Sequence, residues 1–137
     1  MLNGIGLVAA LATFFGVWAG HVLVRKIEFS ARSLTPPTIM AVIVGVSLEV
    51  IALSSDNVSL SGACGIVGMT ALFDAFELRR QYRRVKTGHA PANPNNPRHA
   101  DLLASGKATT INWLKREPIG QDAGMGLPAY GYREHHV

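Results

Sequence analysis

Three apolar runs fill the first 78 residues, and charge is sorted between them so consistently that few architectures are open to the chain. Leu2 to Val24 holds 23 residues without an acid, Lys or Arg, enough at about 1.5 Å per helical residue to cross a hydrocarbon layer of roughly 30 Å. Leu34 to Ser54 is the second run, broken only by Glu49, and Val58 to Leu78 is the third, Gly-rich and uncharged until Asp74 and Glu77. A soluble bundle of buried helices carries similar runs, and the mean hydropathy of +0.21 is modest. The polar stretch after Leu78 dilutes that average, however, and run length combined with charge asymmetry favours membrane spans.

Arg25, Lys26 and Arg32 occupy the first link, whereas Ser54-Ser55-Asp56-Asn57 carries an acid and no base. Directly after the third run come Arg79, Arg80, Arg83, Arg84 and Lys86. Bases gather on the cytoplasmic side, so the predicted orientation has the N-terminus outside, the Arg25 to Ser33 loop inside, Asp56 outside and the tail inside. Met1-Leu2-Asn3-Gly4 has no basic n-region and the first run exceeds a usual signal-peptide core, so it is expected to remain as a helix. The fold class predicted is an all-α membrane protein with three transmembrane helices, at about 2–25, 34–54 and 58–78. The third helix is expected to continue to about residue 86, with Gly88 as its stop, making residues 1–87 the membrane domain.

Residues 88–137 are expected to form a Pro/Gly-rich cytoplasmic tail, largely irregular with short helices. Pro91, Pro94 and Pro97, interleaved with Asn93, Asn95 and Asn96, favour extended or turn conformations. Asp101 to Lys115 has helical promise, but Gly106 and the Thr109-Thr110 pair divide it into two short pieces. The remainder is too poor in apolar side chains to order itself, so Trp113, Tyr130 and Tyr132 are expected to act as anchors on neighbouring subunits.

The net charge of +4 is concentrated where a cytoplasmic membrane surface would lie, which points to anionic headgroups rather than nucleic acid. Cys64 is the single cysteine and excludes a disulfide framework or a thiolate metal site within one chain.

Two segments carry a resemblance. His21-Val22-Leu23-Val24-Arg25-Lys26-Ile27-Glu28-Phe29 has the pattern His, hydrophobic run, Lys, x, Glu, aromatic; Arg84-Val85-Lys86-Thr87-Gly88 is an Arg-Val-Lys-x-Gly turn that leads into Pro91-Ala92-Asn93-Pro94. Over about residues 1–99 the chain resembles a family of small bacterial membrane proteins classed as domain of unknown function 4491. It departs from that pattern in having Val22 where a Pro often follows the His, and in extending some forty residues further. The resemblance implies a bacterial origin and the three-span topology, hence a multi-pass protein of the cytoplasmic (inner) membrane, and it lends no catalytic residue.

His21, Arg25 and Glu28 fall along one side of the first helix at spacings of four and three. An imidazole near a carboxylate suits a proton relay, and His21 with Arg25 and Lys26 suits a quinone headgroup; the plainer reading is a helix-end polar cluster. Glu28, Asp74, Glu77, Arg79 and Arg80 are expected to form a charge cluster locking the three helices at the cytoplasmic border. Glu49 is an intramembrane acid, either snorkelling outward or meeting a partner. Gly16 and Gly20 form a GxxxG, and Gly65 and Gly68 line the third span, all candidates for close helix packing. Haem is disfavoured because only His21 of the five histidines falls within a span, and His135-His136 is too short a pair for a metal site. No intrinsic cofactor is expected, though lipid, quinone or pigment at interfaces is compatible with the pattern.

A bundle this small, without an internal repeat, points away from an independent enzyme or transporter. The expectation is a non-catalytic accessory subunit of a larger membrane complex, energy-transducing (respiratory or photosynthetic), whose tail docks on neighbouring subunits. Two other readings stand beside it: a small homo-oligomeric transporter or channel using Glu49 and His21, and a quinone-binding membrane anchor of a dehydrogenase.

Overall fold

The computed structural model describes residues 4–112. Among them lie four helices and no strand: α1 (Gly4–Ser30), α2 (Thr35–Ser54), α3 (Val58–Lys86) and α4 (Pro97–Ala104). The first three are long and apolar enough to cross a membrane. Trp113, Tyr130, Tyr132 and the His135-His136 pair lie outside the described residues.

The helix ends follow local chemistry. Pro residues stand in the first turn of α2, where no amide donor is required. Asn57 caps α3 by accepting from the Leu60 amide at 3.0 Å, and Ser61 Oγ donates to Ala52 O at 2.7 Å, which closes the short link from α2. At the other end of α3 the Gly88 amide donates to Val85 O and the His89 amide to Arg84 O, at 3.1 and 2.8 Å. This double closure needs a left-handed residue at Gly88, whose φ is +75°.

α3 packs against both α1 and α2 and forms the middle of the three spans. Glycine permits these contacts. A Cβ on Gly45 would fall 2.6 Å from Leu72 Cγ and 2.9 Å from Gly68 O, so the α2 and α3 backbones meet where neither carries a side chain. Gly16 faces Thr70, Gly20 receives the Asp74 carboxylate, and Gly65 lies against Ala52 and Glu49. Large apolar side chains such as Phe14, Leu53 and Phe76 point outward and are exposed. The spans therefore present apolar surface outward, the reverse of a water-soluble bundle.

A cluster of buried apolar residues lies beyond the apolar segments, at the basic end. Val85, Ala90, Ala92, Leu102 and Ala108 are buried together, with Tyr82 and Leu103 packed on them. Residues after Gly88 fold back to build it, and the Ala92 amide donates to Thr109 O at 2.7 Å.

Here the Pro-Asn run differs from the expectation of irregular chain. Asn96 accepts from the Arg98 amide at 3.1 Å and Pro97 takes the first turn, so α4 begins at Pro97 rather than near Asp101. It ends before Gly106, at φ +67°, and residues 105–112 continue as turn and extended chain without a second helix.

Candidate functional site

α1 runs past Arg25 and Lys26 to Ser30 because its last carbonyls find donors from the far side of the sequence. A helix ends with four carbonyls that have no partner of its own. Asn93 Nδ2 donates to Phe29 O at 3.1 Å, Asn96 Nδ2 donates to both Phe29 O and Ala31 O at 3.0 Å, and Arg98 Nε donates to Ala31 O at 3.3 Å. Arg98 Nη2 donates to Glu28 O. Three side chains from the segment around α4 thus cap the end of α1.

The centre of this clamp is Glu28, 1 % exposed. Its Oε1 accepts from Arg98 Nη1 and from His99 Nε2, each at 3.0 Å. His99 is fully buried, and its Nδ1 accepts the Asn93 amide at 2.9 Å, which leaves the ring proton on Nε2 and aims it at the carboxylate. The Arg98 guanidinium also lies 5.0 Å over the Tyr82 ring of α3. One arginine therefore ties α1, α3 and α4 together.

The expected cluster of Glu28, Asp74, Glu77, Arg79 and Arg80 is divided in the structure. Glu28 engages Arg98 and His99 instead; Glu77, buried, accepts from Arg80 Nη1 at 3.0 Å; Asp74 rests against Gly20; Arg79 is exposed. The fold-back of residues 89–104 sets Arg98 and His99 on the Glu28 carboxylate in place of the bases of α3.

Beside the clamp a groove of about 1060 Å³ opens between α1 and α3, lined by His21, Arg25, Lys26, Glu28, Gln81, Arg84 and His89 among others. A second groove of about 540 Å³, with Val17, Gly65, Met69, Phe73 and Asp74 in its walls, shares His21 with the first. His21, Arg25 and Lys26 are thus brought to one place. Glu49 is not: it sits in the seam of α2 and α3 against Gly65 and Gly68, and its Oε1 is buried without a hydrogen-bond partner among the described residues.

A family model described as Domain of unknown function (DUF4491) matches residues 3–96. The chain belongs to the DUF4491 family. Comparison with curated proteins and with solved structures gives no match. In this DUF4491 protein the matched stretch covers the three long helices and reaches Asn93 and Asn96, two of the three capping side chains, while Arg98 and His99 lie just past its end, after Pro97. No group of His, Cys, Asp and Glu suited to a metal ion occurs among the described residues.

Sequence reasoning passed over Asn93, Asn96, Arg98, His99 and Gly45. Two of these carried a readable signal: Asn96-Pro97 is a helix start, and Ala41 and Gly45 form a small-xxx-small pair in α2.

Proposed function

We propose that this DUF4491 protein is a non-catalytic accessory subunit of a larger membrane assembly. It sits in the bacterial cytoplasmic membrane with its N-terminus outside and the clamp, the basic end of α3 and the tail in the cytoplasm. The observation that carries the reading is the clamp: the buried polar side chains Glu28, Asn96 and His99 are engaged in holding residues 93–99 to the end of α1. Their bonds are used for shape, and the product is a firm platform from which the chain continues beyond Asn112.

The separation of Glu49 from His21 supports the same conclusion over a transporter, since the two side chains line different helix seams. Orientation rests on Arg25, Lys26 and Arg32 at one end and Asp56 at the other.

Purification of the tagged native protein in mild detergent, with mass spectrometry and an absorption spectrum of what accompanies it, tests the reading. Stoichiometric larger subunits are expected, and they should be lost from a chain ending after Asn112. An energy-transducing parent would show itself in the spectrum. Recovery of this chain alone, or as a homo-oligomer, overturns the proposal.

A further inference from the structure

Three cations meet across the larger groove, and among the described residues no acid pairs with them. Among the described residues Arg25 donates only to His21 O of its own helix, at 3.3 Å, and Arg84 only to the Gln81 amide oxygen, also at 3.3 Å. Lys26 makes no ion pair among the described residues. The two carboxylates nearby are already answered, Glu28 by Arg98 and His99, Glu77 by Arg80. Like charges on facing helices repel, and α1 and α3 hold these three exposed in one concavity.

The apolar side chains of Val22, Val24 and Phe29 line the same groove, which begins where the uncharged run of α1 gives way to Arg25 and Lys26. An occupant matching these walls has an anionic head and a hydrocarbon body. We propose that the groove is a binding site for one anionic phospholipid, its phosphate bridging Arg25 and Lys26 of α1 to Arg84 of α3 and its acyl chains descending along α1. A neutral quinone would use the apolar wall but leave the three cations unanswered. The proposal rests on the membrane placement given above and not on any partner subunit.

Native mass spectrometry of the full-length chain, stripped of lipid in a neutral detergent and titrated with phosphatidylglycerol, phosphatidylcholine, a neutral long-chain quinone or inorganic phosphate, tests it. One phosphatidylglycerol is expected to bind in preference to phosphatidylcholine by on the order of a hundredfold, from three bases at the surface. The triple variant Arg25→Gln, Lys26→Gln, Arg84→Gln should lose that preference. A control with equal charge loss, Arg79→Gln, Arg83→Gln, Lys86→Gln, removes exposed bases outside the groove and should keep it. All six side chains are exposed, so both variants are expected to unfold at the parent temperature. Equal binding of the two lipids, preference for the quinone, binding of phosphate alone with the affinity of the lipid, or equal loss in both triple variants overturns the site. Failure of every lipid to bind likewise overturns the site, and leaves the three membrane-length helices standing.

Discussion

His99 Nε2 and Glu28 Oε1 stand 3.0 Å apart although 71 positions separate them in the chain, and both side chains are buried. The pair joins the end of α1 to the first turn of α4. Because Arg98 shares the same carboxylate oxygen, loss of Glu28 strands two donors at once.

Glu28→Ala is expected to cost about 3–5 kcal/mol, the range for removing one partner of a buried charge pair. Arg98→Lys keeps the charge but not the fork that reaches Glu28 and Ala31 together, and should also destabilise. Thermal unfolding in detergent and protease cleavage within 89–104 are the readouts; a chain as resistant as the parent would refute the clamp.

Gly45→Ala should weaken the α2–α3 contact by about 1–3 kcal/mol, because the new methyl meets Leu72 and a backbone carbonyl. Gly62→Ala adds the same atom to the neighbouring span with nothing within 4 Å and serves as the comparison. Titration of both variants with SDS should separate them, and equal midpoints would count against the close backbone approach.

Replacing Gly88 tests the end of α3. Its left-handed backbone costs an L side chain about 1–2 kcal/mol, so Gly88→Ala should lower the unfolding midpoint and Gly88→Asn should lower it less. An unchanged midpoint in both would mean that the turn can be rebuilt.

Two truncations divide the tail. A chain ending after Asn112 keeps Leu102, Ala108 and the whole clamp and should unfold as the parent does; one ending after Ala100 loses the first two and should expose the basic-end core. Circular dichroism melts of the two, side by side, decide the matter, and equal melts would deny residues 101–112 any part in stability.

Glu49→Met removes a carboxylate oxygen that is buried without a partner at the α2–α3 seam. The isolated protein is expected to gain about 1–3 kcal/mol, the order of an uncompensated polar group's burial. A loss in SDS titration would reveal that the carboxylate is bonded after all.

The long helices were legible because period and length are local properties: uncharged runs, Asn57 before α3 and Gly88 after it lie next to what they decide. Glycine packing was half legible, since Gly16, Gly20, Gly65 and Gly68 stand in recognisable spacings, while Gly45 pairs with Ala41 in a span otherwise crowded with Val and Ile. The clamp was hidden for a different reason. Asn93, Asn96 and His99 lie among prolines, where their chemistry is that of any turn, and their partners, the carbonyls of Phe29 and Ala31 and the Glu28 carboxylate, stand more than sixty positions earlier. Nothing near either segment announces the other, and the arginines that follow the third apolar run offer Glu28 a nearer-looking partner.

The capping of α1 by Asn93, Asn96 and Arg98 also sets an order of events in biosynthesis. The carbonyls of Phe29 and Ala31 leave the ribosome long before their donors do, and they stay with water until the third span is in place. Had one span entered in the wrong sense, Arg98 would emerge a bilayer away, roughly 30 Å from Glu28, and the lock could not close. Closure is therefore a readout of correct insertion, made by the chain on itself after its last span is threaded.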